Sequence, residues 1–338
     1  MIQTAIHTLL DGHDLSRAQA REVMAEIMGG EATPVQISGF LVALRAKGET
    51  AEEIAGCAEA MRELVLAVQP ARADVVDVVG TGGDGARTFN ISTTAAIVAA
   101  AAGAAVAKHG NRAVSSLSGS ADVLEALGFV LEQPPARIAE SIDTLGFGFM
   151  FAPLHHPAMR HAAPVRRELA TRTIFNVLGP LTNPAGARAG VFGVYSADVA
   201  QRVADALAVL DSRRAFVVHG FAGIDELSPA GPNLVYEVQD GEVRGRVIDP
   251  QELGLAPSDP AELTGGSPDE NAQTARHVLS GARGAKRDAV VLNAAGAIAA
   301  AGHAADLGEG IAVAAETIDS GAAAARLEQL VAFSRESP

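Results

Sequence analysis

The chain has 338 residues, with 26 Lys+Arg against 40 Asp+Glu, a formal net charge of −14. This length fits one large or two ordinary domains, and 48% hydrophobic against 20% charged residues excludes a disordered chain. The acidity disfavours a binder that coats nucleic-acid phosphates, and the single cysteine, Cys57, excludes an intrachain disulfide framework or a Cys-based zinc cluster. The longest apolar stretch, Ala95 to Ala107, is 13 residues and falls short of the roughly 18 that a membrane span needs. With no charged-then-apolar leader, a soluble cytoplasmic protein is expected.

Residues 1–68 read as helices only. Apolar residues recur at helical spacing through Ile2–Leu10, Ala18–Met28, Val35–Leu44 and Ile54–Val68. Thr33-Pro34 supplies a cap with proline at the first helical position, and Thr50 with Glu53 makes a capping box. After Pro70 the pattern changes to strands alternating with helices. Strands are predicted at Val75–Val79, Ala104–Lys108, Phe147–Phe151, Val191–Tyr195 and Ala215–His219. Helices are predicted after Ser92, from Ser120, over Pro135–Leu145 and over Asp198–Leu210. Val235–Val238 and Val243–Val247 flank Asp240-Gly241 as a hairpin. Ser267 and Glu270 form a second capping box, and Ala-rich helices are expected over 287–301 and 309–335. The fold class expected is α/β: a small all-helical domain (1–69) and a large α/β domain (70–338) with a mostly parallel central sheet covered by helices.

Four stretches carry chemistry. Gly80 to Gly85 follows the first strand directly, and Ser92, Thr93 and Thr94 open the next helix. Glycines let backbone N–H groups approach and cradle phosphate oxygens, and a helix N-terminus favours an anion. The alternative is a plain strand–helix turn with Ser92 as an ordinary cap. Gly80, Gly82 and Gly85 match the dinucleotide G-x-G-x-x-G spacing, but that reading wants an acidic residue about 20 positions on. Between Asp84 and Asp122 no Asp or Glu occurs, and Ala86-Arg87 stands where a Walker A loop needs lysine. Phosphate fits this loop better than NAD does.

The second stretch, Lys108-His109-Gly110-Asn111-Arg112 with Ser115, Ser116, Ser118 and Ser120 beyond it, gathers cations, an imidazole, an amide and hydroxyls after the next strand. Its position predicts an anion site beside the first loop at the carboxyl edge of the sheet. In the third, Arg166, Arg167 and Arg172 are expected on one short helix ended by Asn176 and Gly179-Pro180, where arginine suits planar carboxylate recognition or bridges helices structurally. The fourth, His219 to Ser228, holds adjacent Asp225 and Glu226, which suit Mg²⁺ opposite a phosphate site but are often merely solvated. His155, His156 and His161 lack nearby carboxylates and fit the start of a helix better than a zinc site, while Cys57 reads as a buried thiol.

With Gly80–Gly85, Lys108–Arg112, the Arg166–Pro184 run and Gly223–Glu226 in this order, the chain resembles the anthranilate phosphoribosyltransferases of tryptophan biosynthesis over nearly its full length. The resemblance implies a helical domain completed by helices from about 165–190, a homodimer, and transfer of the phosphoribosyl group from phosphoribosyl pyrophosphate to the amine of anthranilate. It also implies Mg²⁺, two ions per active site. Carried over by position, Gly80, Gly82, Gly83, Asp84, Thr88, Asn90, Ser92, Thr93, Lys108 and Ser120 would hold phosphoribosyl pyrophosphate. Gly80, His109, Asn111 and Arg166 would bind anthranilate, Lys108 and Arg166 would act in catalysis, and Ser92, Asp225 and Glu226 would hold the metal. Two positions depart from the family pattern: Leu117, where many relatives carry Lys or Arg, and Ala170, where glycine is common and where a change in helix packing is expected. The nearest rival is a pyrimidine-nucleoside phosphorylase, which shares the architecture and a related Lys-His-Gly stretch. A non-catalytic relative binding nucleic acid is a second, and the charge of −14 speaks against it.

Overall fold

A computed structural model describes residues 1–113 and 117–336. Four helices open the chain: Ile2–Leu10, Arg17–Met28, Pro34–Lys47 and Ala51–Glu63. Ser16, Thr33 and Thr50 each accept the third-residue N–H of the helix they precede, and a Gln or Glu side chain returns the bond. The fourth helix stops at Glu63, five residues short of the expectation. Beyond it the chain is extended, because the N–H groups of Leu66 and Val68 bond the carbonyls of His155 and Pro184.

The strands are β1 (Asp77–Gly80), β2 (Val106–Gly110), β3 (Phe147–Phe151), β4 (Ala189–Gly193), β5 (Arg214–His219), β6 (Asn233–Gln239) and β7 (Glu242–Ile248). They form a five-stranded sheet ordered β1-β4-β5-β6-β7 and a pair β2-β3. A parallel bridge between Val76 and Val106 joins the two. β1, β4 and β5 run parallel, as do β2 and β3, and β6 and β7 return antiparallel through Asp240 and Gly241, both at positive φ. Side chains alternate across the sheet. Val191, Phe216 and Val218 face a core with the helices Ile91–Ala101 and Ala285–Ala300, whereas Phe192, Ala215 and Val217 face one with Ala197–Val209 and the N-terminal helices.

Two further expectations are corrected. The single helix over 309–335 is two, Leu307–Asp319 and Ala322–Arg335, because Ser320-Gly321 reverses the chain with Gly321 at φ 79°. The arginine helix Ala163–Leu169 ends before Arg172, and Asn176, Gly179 and Pro180 lie inside a separate helix, Phe175–Leu181. What divides them is Ala170, left-handed at φ 47°. The departure from glycine there thus bears on a helix terminus rather than on helix packing.

Candidate active site

β1 runs into the glycine loop, where Gly82, Gly83 and Gly85 all take positive φ. A Cβ on Gly80 would collide with the Asp225 carboxylate, so the glycine permits that close approach. Asp225 Oδ2 accepts the Gly82 N–H at 2.6 Å, and its own N–H donates to Asp84 Oδ2 at 3.2 Å. Next to it, Glu226 Oε1 accepts the Ser92 N–H at 2.8 Å and Oε2 accepts the Thr88 hydroxyl at 3.4 Å. The Asp-Glu pair, 134 residues away in sequence, therefore closes over the loop and the first turn of the next helix. Ser92 lies inside that helix, Ile91–Ala101, rather than capping it.

Lys108, on β2, is 2% exposed and donates to the Val78 carbonyl and, at 3.4 Å, to Ser92 Oγ. Burial pulls its pKa down, while Asp77, Glu226 and Asp225 oppose that. Asp77 is fully buried within β1, with its carboxyl pushed up to about 6 by burial. Its Oδ1 accepts the Val78 N–H at 2.8 Å and the His109 N–H at 3.3 Å, and its Oδ2 accepts Asn183 Nδ2 at 2.6 Å. Burial and then mutual charge raise Asp225 and Glu226 above the ordinary carboxylate range: Asp84 acts on the first, Asp225 on the second. Three acids that accept from backbone N–H groups and one lysine that donates to a backbone carbonyl thus gather around the end of β1.

The residues expected to receive the acceptor lie on separate elements: His109 next to Lys108 on β2, Asn111 just past its end and Arg166 on the helix Ala163–Leu169. His109 Nδ1–H donates to the Gly179 carbonyl at 3.2 Å, which leaves Nε2 as an acceptor, buried and without a partner among the described residues. Burial and the neighbouring His156 ring, 4.9 Å away, hold His109 down to about 3, so it is neutral at pH 7. His156 is likewise lowered, to about 4, first by burial, and its Nε2 has no partner among the described residues either. Arg166 is half-buried, 5.0 Å from the Phe175 ring centroid, and meets no carboxylate within salt-bridge distance among the described residues. Asn111, just past the end of β2, is exposed, its Oδ1 accepting the Arg112 N–H at 2.7 Å.

Other candidates are placed less directly. Asn90 is spent within the protein: its Oδ1 accepts from Ser118 Oγ and Asn271 Nδ2, and its Nδ2 donates to the Ser118 carbonyl. Thr93 is 1% exposed, its hydroxyl buried without a partner among the described residues. Ser120 opens the helix Ser120–Ala126 and bonds the Asn111 carbonyl. Arg112 does not add to an anion site, because Asp122 at 3.0 Å and Glu125 take up its charge. With His109 neutral and Arg112 paired, the cations gathered in this stretch reduce to Lys108. Ser115 and Ser116 lie outside the described residues. Leu117 is exposed, and Cys57 is buried as expected.

Sequence reasoning missed the residues that hold the loops. Asn293 clamps Leu227 N–H and C=O beside the Asp-Glu pair, and Asn233 binds Ser228 and Gly231 below it. Asn271 reaches Asn90 across 181 residues. Only Asp77 carried a local signal, an acid inside a β-branched run.

The carboxylates and the Ser92 hydroxyl are hard oxygen donors suited to Mg²⁺. Among the described residues, however, no three His, Cys, Asp or Glu groups converge closely enough to cage an ion unaided. The set fits a cation completed by substrate phosphates and water rather than one enclosed by protein.

A helical bundle set against an α/β sheet, with a glycine loop and acids at the strand ends, defines a class that the family models match. The "Glycosyl transferase family, a/b domain" covers residues 72–324 and the "Glycosyl transferase family, helical bundle domain" residues 3–65. The anthranilate phosphoribosyltransferase of Anaeromyxobacter dehalogenans is 55% identical over 98% of both chains. That of Thermus thermophilus, known from its crystal structure, is 51% identical over 98% of this chain and 99% of its own, with a TM-score of 0.93. The Saccharomyces cerevisiae enzyme, solved in complex with phosphoribosyl pyrophosphate and Mg, is 30% identical over 98% and 97%, with a TM-score of 0.89; it has also been solved with 4-fluoroanthranilate. The chain belongs to the anthranilate phosphoribosyltransferase family.

Proposed function

We propose that this chain transfers the phosphoribosyl group of phosphoribosyl pyrophosphate to the amine of anthranilate, giving N-(5-phosphoribosyl)anthranilate and pyrophosphate in tryptophan biosynthesis. What supports this reading is a pair of chemically unlike groups of residues, proposed to line the two sides of one cleft. Buried acids and a lysine meet a glycine loop on one side, and on the other an arginine has no carboxylate of its own among the described residues. A metal-bound polyphosphate suits the first side and an aromatic carboxylate the second.

Gly80, Gly82, Gly83, Asp84, Thr88, Asn90, Ser92, Thr93, Lys108 and Ser120 are proposed to contact the donor, directly or through the loop they shape. Ser92, Asp225 and Glu226 would hold Mg²⁺, two ions per site, which when bound supplies charge neutralisation for the pyrophosphate. Lys108 adds a fixed positive charge beside the same strand edge. Gly80, His109, Asn111 and Arg166 would receive anthranilate, with Arg166 pairing its carboxylate and His109 Nε2 offering an acceptor.

The amine nitrogen forms its bond to ribose C1 as the C1–O bond to pyrophosphate breaks, through an oxocarbenium-like transition state, and the nitrogen then releases its proton. An arylamine is neutral at pH 7, so orientation and leaving-group stabilisation carry the rate rather than a strong base.

We further propose that residues 1–69, with helices from about 165–190, form the small domain and 70–338 the large one. A core shared by Met24, Phe40, Cys57, Val165 and Leu178 supports this. The chain would act in the cytoplasm as a homodimer. The helix Pro34–Lys47 leaves Val35 81% and Val42 47% exposed seven residues apart, on one face, which supports a partner there. No helix among the described residues is long and apolar enough to cross a membrane.

Against a nucleoside phosphorylase stand the Asp225–Glu226 pair, with Glu226 buried, and Arg166. The test is loss of anthranilate fluorescence on adding protein, Mg²⁺ and phosphoribosyl pyrophosphate, beside phosphate-dependent cleavage of thymidine or uridine. Fluorescence loss with intact nucleosides supports the transferase, and the opposite pattern overturns it.

A further inference from the structure

The sequence pattern groups Arg172 on a helix with Arg166 and Arg167, yet it lies past the left-handed turn at Ala170 and crosses to the glycine loop. Its Nη2 donates to the Gly83 carbonyl, and its guanidinium stacks 4.0 Å from the Tyr195 ring centroid. Tyr195 is itself tied to the loop, since its N–H donates to Thr81 Oγ1 at 3.2 Å and Thr81 N–H donates to the Gly193 carbonyl at 2.9 Å. Among the described residues no carboxylate lies within salt-bridge distance of Arg172, although the chain is strongly acidic. Gly82, Gly83 and Gly85 at positive φ have little conformational preference of their own, so something outside the loop must fix its peptide planes. The N–H groups of Gly83, Asp84 and Gly85 meet no acceptor within the protein among the described residues.

We propose that Arg172, braced on Tyr195, is a positioning residue that sets the phosphate loop in its binding conformation. This rests on the transferase reading and deepens it by assigning the residue that organises the donor side. The peptide between Gly83 and Asp84 is planar and trans, so pinning the Gly83 carbonyl to Arg172 turns the Asp84 N–H to the opposite side. One charge-assisted bond thereby fixes a donor direction that glycine alone leaves free. Because Arg172 comes from the segment that also carries Arg166, the loop is ordered only when that segment sits against the large domain. Lysine cannot replace it fully, lacking the planar face that stacks on the ring.

The test is steady-state kinetics with both substrates varied in the full-length wild type, Arg172→Ala, Arg172→Lys and Tyr195→Ala, alongside calorimetric binding of inorganic pyrophosphate with Mg²⁺. Arg172→Ala is expected to raise the donor KM and the pyrophosphate Kd about tenfold, with the anthranilate KM changed less than about twofold. Arg172→Lys and Tyr195→Ala should fall between wild type and Arg172→Ala. Thermal midpoints within a few degrees of wild type separate this from misfolding, and Arg172→Lys keeps the test open if the alanine variant is unstable. Unchanged donor KM and pyrophosphate Kd, or an equal rise in both KM values, overturns the proposal. A wild type without anthranilate turnover fails the transferase reading instead, and the pyrophosphate titration still reads the loop.

Discussion

The acids around Lys108 and the proposed acceptor group of His109, His156 and Arg166, here called the two flanks, are built on opposite principles. On one, Asp84, Asp225 and Glu226 are already engaged by peptide N–H groups of Ala86, Gly82, Asp225 and Ser92. Burial and mutual repulsion keep Asp225 and Glu226 reluctant to ionise. On the other, His109 Nε2 and His156 Nε2 have no partner and Arg166 has no counter-ion among the described residues. The acid flank holds carboxyls whose ionisation burial and neighbouring charge resist, a cost that a divalent cation would relieve. The imidazole flank has an unanswered positive charge that a carboxylate relieves. Each side is costly as it stands, and each cost is of the sign its proposed ligand removes.

The largest effect that sharpens this contrast is on the acid flank. The paired substitution Asp225→Asn with Glu226→Gln should lower kcat/KM at fixed Mg²⁺ by about 10²–10³, the scale of losing charge stabilisation of a leaving group. Mg²⁺ titrations of the rate should shift to higher concentration, and unchanged titrations refute the role. Next is Arg166→Ala, expected to raise the anthranilate KM roughly thirtyfold, about 2 kcal/mol, with a smaller change in kcat. An unaltered anthranilate KM removes Arg166 from the acceptor flank.

A third effect is in pH. Asp225 and Glu226, with raised folded pKa values, keep protons that an unfolded chain has released above about pH 4. Their contribution to folded stability is therefore lost as pH rises through the raised values. A cation that needs the ionised forms should offset this, so Mg²⁺ should raise the thermal midpoint more at about pH 8 than at about pH 6. Equal shifts at both pH values would contradict the assignment. The smallest effect is in the turn between Arg166 and Arg172. Ala170→Gly relieves a left-handed alanine but loosens the unfolded chain, for a net gain of about 0.5 kcal/mol in denaturant unfolding. A loss of stability there would show that the turn is not strained.

Much of this was legible because local physics decided it. Capping boxes at Thr50 and Ser267 and the Asp240-Gly241 turn settle their own geometry. The glycine loop and the Lys108–Asn111 stretch were found because each follows a strand, where α/β sheets bind ligands. What stayed hidden depends on distant partners. Leu66 and Val68 leave their helix for carbonyls near residues 155 and 184, and Asp77 is bound to Asn183 106 residues on. Arg112 looked like a ligand cation until Glu125, in the helix beyond the loop, took up its charge. Arg172 looked helical because the left-handed turn at Ala170 uses a residue that does not announce one.

The proposed division of the cleft is tested most directly by measuring both KM values side by side in Arg166→Ala and Glu226→Gln. Arg166→Ala should raise the anthranilate KM alone, and Glu226→Gln should raise the phosphoribosyl pyrophosphate KM and the Mg²⁺ requirement alone. If either variant raises both KM values equally, the two flanks are not separate sites and the reading of the cleft fails.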